Sequence, residues 1–126
     1  MWMRLARSRP ARWLIPWIFT RMSFLIPVDR LRETDTLIAF RHPQPSYPVH
    51  ILIVPKRAIA DLRAIRADDG KFLEDLFRCA GELASELGLE QAGYRLITNG
   101  GRYQQVPQLH FHLVSGEPIT ASVDKG

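Results

Sequence analysis

The chain reads as a single α+β domain, with five strand segments, one long helix and one short helix behind a basic, aromatic-rich arm. Three observations predict this class. Val49–Pro55, VHILIVP, is a β-branched run closed by proline. The stretch KFLEDLFRCAGELASELG places apolar residues at helical spacing. QLHFHLV, starting at Gln108, alternates with a period of two.

The first 28 residues form the arm. They hold Arg4, Arg7, Arg9, Arg12 and Arg21 and no acid, so the remainder of a chain with net charge +4 is near neutral. A high pI confined to one segment does not mark the domain as a nucleic-acid binder, and no specific nucleic-acid partner is expected. The uncharged run from Trp13 to Thr20 is far short of the roughly 20 residues needed to cross a bilayer. Arg21 interrupts it, Pro16 and Pro27 disturb a continuous helix, and no small-x-small cleavage site follows it. Two readings stand. The arm is a helix packed on the domain or on a second subunit, or its tryptophans and arginines lie in a membrane interface.

From Asp29 the elements follow in order. RLRET and DTLIAF are two short strands around a Thr34–Asp35 turn. Arg41–Pro48, with three prolines, is a loop. Val49–Pro55 is the next strand, and KRAIADLRAI carries the short helix. Asp68 and Asp69 offer capping and favourable charge to the long helix, whose expected apolar stripe is Leu73, Leu76, Phe77, Ala80, Leu83, Ala84 and Leu87. Gly88 stops it. GYRLITN is a strand, GGRYQQ a glycine-led loop and PQLHFHLV the last strand; residues 117–126 form a tail. At 126 residues with 46% hydrophobic and 24% charged content, the chain can bury a core without staples. Its one cysteine, Cys79, excludes a disulfide framework and a cysteine zinc cluster, and it reads as a small buried hydrophobe in a reducing compartment.

The last strand sorts its side chains. Leu109, Phe111 and Leu113 share one face, which meets the long helix; Gln108, His110, His112 and Val114 share the other. An H-x-H on a strand has three readings. The rings are half-exposed surface residues, or two ligands of a metal whose third ligand is His50 or His42, or a nucleophile with its support. The preceding NGGRYQQVP can bring backbone N–H groups and the amides of Asn99, Gln104 and Gln105 to an anion. His50 joins them if its strand lies beside the last one.

QLHFHLV resembles the signature of the histidine triad (HIT) family, three histidines alternating with apolar residues, with Gln108 at the first position. DTLIAFRHPQPSYPVHILIVPKRAI, the long helix, GYRLITNGG and QQVPQLHFHLVSG are similar to the family's blocks in the family's order, from Asp29 to Gly116. The resemblance implies an antiparallel sheet of about five strands. It also implies a nucleotide hydrolase or nucleotidyl transferase acting at an α-phosphate, with phosphoramidate, phosphoanhydride or dinucleotide substrates. His110 falls on the central histidine, the family's nucleophile. Its second ring nitrogen is held by the backbone carbonyl of the first motif residue, which a glutamine supplies as well as a histidine. His112 and His50 then assist, and Asn99, Gln104 and Gln105 contact phosphate. The resemblance implies no cofactor and no metal, a homodimer and a cytoplasmic location; the arm lies outside it, and peripheral membrane contact is the second reading of its tryptophans and arginines.

Two positions depart from the family pattern. Where many relatives carry an acid that holds ribose hydroxyls, this chain has His42; where a hydroxyl residue is frequent, it has Gln105. An amide cannot act as a general acid. A nucleotide-binding or regulatory module with little or no catalysis is the alternative expectation.

Overall fold

The computed structural model describes residues 30–119, so the arm and the end of the tail lie outside the described residues. Five strands build one sheet: β1 (Arg30–Glu33), β2 (Leu37–Arg41), β3 (Val49–Pro55), β4 (Arg95–Ile97) and β5 (Phe111–Ser115). Their order is β1-β2-β3-β5-β4, and every neighbouring pair is antiparallel. The sequence therefore predicts the fold class, the strand count and the bounds of β3.

Register decides what each face carries. Ile51 lies opposite Leu113 and Ile53 opposite Phe111, and Leu37 and Ala39 continue that face across β2. These residues are buried against Phe72, Leu76, Cys79, Ala80 and Leu83 of α1 (Gly70–Glu86). The expected contact of Leu109, Phe111 and Leu113 with the helix side is present. On the other face His50 lies opposite Val114 and His112 opposite Leu52, beside a smaller buried cluster of Ile38, Phe40, Leu52 and Val54.

The phase of the long helix differs from the expected stripe. Phe72 and Cys79 are in the core, whereas Phe77 is 64% exposed and Leu87 37%. The apolar residues of this helix cover more than one face, so spacing alone admits two rotations. The sheet selects the one that buries Phe72 against Phe111, ring centroids 6.3 Å apart. That rotation also buries Asp75, whose carboxylate accepts from Thr36 Oγ1 at 2.6 Å, Thr34 Oγ1 at 3.1 Å and Lys71 Nζ at 2.6 Å. The β1–β2 turn is thereby tied to the helix, and these donors hold Asp75 at a pKa of about 2.

Three smaller differences follow. KRAIADLRAI yields a single 3-10 turn, Leu62–Ala64, with Asp61 accepting from the Arg63 N–H. The short helix is instead α2 (Leu89–Ala92), which begins after Gly88 in the left-handed conformation (φ 69) that ends α1. Asp69 does not cap α1 through its side chain; it closes the preceding turn by accepting from the Arg66 N–H and takes the Arg57 guanidinium on both oxygens. Arg57 first, then the Arg66 amide, brings the Asp69 pKa down to about 2. Cys79 is buried as expected, and burial pushes its thiol up to about 11.

Candidate active site

His42, His50, His110 and His112 are all the histidines in the chain, and they stand together. Ring centroids are 4.3 Å apart for His42–His50, 5.2 Å for His50–His112 and 5.0 Å for His110–His112. Pairing of β3 with β5 produces most of this. Alternation puts His50 and Leu52 on one face, and His112 opposes Leu52, so the two imidazoles are diagonal neighbours across the ladder. His110 lies just before β5 in an extended lead-in whose Leu109 N–H donates to the Ile59 carbonyl at 2.7 Å. His42 lies just after β2, and its own N–H reaches the His50 carbonyl at 2.9 Å.

The Pro-rich loop sets the ring protons. Prolines at 43, 45 and 48 have no N–H, which leaves Gln44, Ser46 and Tyr47 as the donors between His42 and Val49. Two of these three serve imidazoles: Gln44 N–H donates to His42 Nδ1 at 3.0 Å and Ser46 N–H to His50 Nδ1 at 2.9 Å. Burial first, and the electrostatic influence of the neighbouring His42 second, depress the His50 pKa to about 4, so the ring is neutral near pH 7. With Nδ1 accepting, its proton is on Nε2. That nitrogen is 2.9 Å from His112 Nδ1, which must accept. His112 therefore carries its proton on Nε2. One backbone amide orders two rings.

His110 is ordered from another direction. Its Nδ1 is 2.7 Å from the Gln108 carbonyl oxygen and can only donate to it, so a neutral His110 presents a lone pair on Nε2. Thr98 Oγ1 donates to the His110 carbonyl at 2.8 Å and pins the backbone beneath the ring. A neutral ring with its lone pair on Nε2 thus stands beside a ring with an Nε2–H. Such a pair can supply an attacking nitrogen and a hydrogen-bond donor to one anionic substrate.

The structure brings His110, His112, His50, His42 and Gln108 together. The Gln108 side chain is buried, and among the described residues its amide nitrogen reaches the Leu109 carbonyl, at 3.4 Å. Gln104 is directed elsewhere: its amide nitrogen donates to the carbonyls of Ala60 at 2.9 Å and Val106 at 3.0 Å, stitching two loops together. Asn99 is half-buried just beyond β4, and Gln105 is half-buried in the loop before Gln108. Sequence reasoning missed Thr98 and the amides of Gln44 and Ser46. The proline spacing was a legible signal for the amides; Thr98 had none, because its partner is a carbonyl brought near by the β4–β5 pairing.

A family model described as HIT domain matches residues 24–119. The chain belongs to the HIT family. It is 36% identical over 105 residues to an uncharacterized HIT-like protein of Azospirillum brasilense, covering 80% of this chain and 85% of that protein. It is 35% identical over 96 residues to the purine nucleoside phosphoramidase of Escherichia coli K12, covering 75% of this chain and 81% of that enzyme. The structure is similar to that of a HIT family hydrolase from Legionella pneumophila (TM-score 0.67, 35% identity, 80% of this chain and 90% of that one). A HIT family hydrolase from Clostridium thermocellum matches with TM-score 0.70 and 34% identity, over 86% of this chain and 93% of its own. The HIT relatives thus include hydrolases, and the five-stranded antiparallel sheet with its long helix is the fold they share.

Proposed function

We propose that this HIT protein is a nucleotide hydrolase or nucleotidyl transferase acting at the α-phosphate of a nucleotide conjugate. Candidate substrates are phosphoramidates, phosphoanhydrides and dinucleotides. The observation that carries the reading is the hydrogen bond from His110 Nδ1 to the Gln108 carbonyl, which leaves Nε2 as a lone-pair nitrogen. His110 Nε2 attacks phosphorus; a nitrogen–phosphorus bond forms as the bond to the leaving group breaks. Water or another acceptor then attacks the same phosphorus, releases the nucleotide and restores the imidazole. His112 donates from Nε2 to the phosphate oxygens, and His50 holds it in that tautomer. Gln108 supplies through its backbone what a histidine there would supply, so the amide at the first motif position spares the nucleophile. Asn99, Gln105 and His42 complete the nucleotide contacts. The relationship to a purine nucleoside phosphoramidase supports the substrate class. No cofactor enters the reading. It places the protein in the cytoplasm as a homodimer joined through edge strand β4 and the exposed side of α1 around Phe77, with the arm in contact with a membrane surface.

The test is intact-mass analysis, without acid, after incubation with an adenosine phosphoramidate. A nucleotidyl adduct is expected on the wild type and is lost in His110→Ala. Equal turnover by wild type and His110→Ala sinks the mechanism. Two observations favour a second reading, a binding module with little catalysis. The amide donors of Gln104 are spent on backbone carbonyls, and Gln105 has no acidic proton to give a leaving group. That reading predicts nucleotide binding by thermal shift with no hydrolysis across a substrate panel.

A further inference from the structure

The Ser46 amide that orders His50 and His112 is itself braced by the segment after β5. Ser46 is buried, and its carbonyl accepts from the Ile119 N–H at 2.8 Å while its own N–H donates to His50 Nδ1. Three residues earlier the same segment passes against the loop at Gly116. That glycine has φ +92, and a Cβ built on it would lie 2.7 Å from Pro48 Cγ and 2.9 Å from Pro48 Cδ. Only a residue without a side chain allows both the backbone conformation and the approach. The segment is anchored on its other side by Ser115 Oγ, which donates to the Gly93 carbonyl at 2.6 Å. The Pro-rich loop is therefore held between β3 and the chain that leaves β5.

We infer that residues 116–119 act as a positioning strap for the histidine pair, through Gly116 against Pro48 and the Ile119 amide on Ser46. The inference rests on the proposed role of His112. The chain of contacts is short and directional. Ile119 N–H holds Ser46; Ser46 N–H occupies His50 Nδ1; His50 donates Nε2–H to His112 Nδ1; His112 is left with its proton on Nε2. If Ser46 shifts by a fraction of a hydrogen-bond length, His50 Nδ1 loses its donor, and the ring can take up its proton there. His50 Nε2 then accepts, and His112 flips to the tautomer with no Nε2–H for the phosphate. The alternating prolines make this loop stiff, so a pull at one end is transmitted to Ser46 rather than absorbed. The Ile119 side chain is 56% exposed, so the strap acts through its backbone and not by filling a core.

The experiment compares Ile119→Pro, which removes the amide hydrogen, with Ile119→Val, which keeps it, and with Gly116→Ala, which pushes the strap off Pro48. The readout independent of turnover is the 15N shift pair of the His50 and His112 rings, which reports the tautomer directly. Wild type and Ile119→Val should show single Nε2–H tautomers for both rings. Ile119→Pro and Gly116→Ala should show mixed tautomers at both, with kcat down about tenfold and KM changed less than about twofold, the signature of an interaction lost mainly in the transition state. Unchanged ring shifts in both variants, whatever happens to stability, overturn the strap. If Ile119→Pro does not fold, Gly116→Ala decides alone, and if neither folds while Ile119→Val does, the segment is a folding element and the strap is rejected. A wild type that hydrolyses no nucleotide would overturn the proposed function while leaving the ring shifts to judge the strap.

Discussion

On the helix side of the sheet, Asp69 and Asp75 are buried as carboxylates, each held by several donors; on the opposite face, His50 and His112 are buried as neutral rings. The first pair joins elements. Asp75 ties α1 to the β1–β2 turn, and Asp69 ties the start of α1 to the segment after β3. The second pair orders protons. His50 donates its Nε2–H to His112 and accepts a backbone N–H from Ser46, and among the described residues no carboxylate is hydrogen-bonded to it. Donors drive the acids toward the charged state, whereas burial drives His50 toward the neutral one. The difference teaches that one sheet separates two tasks by alternation alone. Residues facing α1 form the main core, and the face turned away carries the histidine cluster.

That separation can be broken by substitution. The largest effect is expected from His110→Ala, which should lower turnover by at least about a thousandfold and leave the urea midpoint nearly unchanged, as befits a half-buried ring with its bonds to backbone. Leu76→Ala is the counterpart on the helix side. It should cost about 2–5 kcal/mol in urea unfolding, with kcat of the folded protein within about twofold of wild type. If Leu76→Ala damages kcat as severely as His110→Ala, the two faces are not independent.

Acid titration sharpens the contrast because the two pairs act in different windows. The folded His50 pKa is about 4 against an ordinary 6.5, so between those values the unfolded chain binds more protons. Its contribution is complete above pH 6.5, falls away as pH drops toward 4, and is absent below. Asp69 and Asp75 have folded values of about 2 against 3.8, so their contribution is complete above 3.8 and is lost as pH falls to about 2. Urea midpoints measured against pH should therefore decline in two stages. His50→Gln should flatten the upper stage and Asp75→Asn part of the lower; a single decline untouched by His50→Gln contradicts the assignment. The smallest effect belongs to Thr98→Val, which removes the hydroxyl on the His110 carbonyl. One hydrogen bond of about 1 kcal/mol predicts up to a fivefold fall in kcat. No change would mean that Gln108 alone positions the ring.

Much of this arrangement was legible before any fold was known. The β-branched run Val49–Pro55 marked a strand, period-two alternation over Leu109–Val114 separated His110 and His112 from the core, and Gly88 marked the end of the long helix. These signals are local: a strand puts successive side chains on opposite faces whatever surrounds it, and a left-handed residue that ends a helix favours glycine. The rotation of α1 was not legible. Phe77 and Phe72 are equally apolar, and only the position of Phe111 on the sheet decides which one is buried. The carbonyl partner of His110 was implied by the family resemblance, but the long-range contacts that order the cluster were not read from the sequence. The Ser46 amide reaches His50 through a loop closure, Thr98 reaches His110 across the β4–β5 edge, and Ile119 reaches Ser46 from the far end of the chain. The sequence by itself determined which residues are strands, which face is polar and that four imidazoles are available. Tertiary structure alone decided which nitrogen of each ring carries the proton, because a tautomer is set by the donor or acceptor a few ångströms away in space.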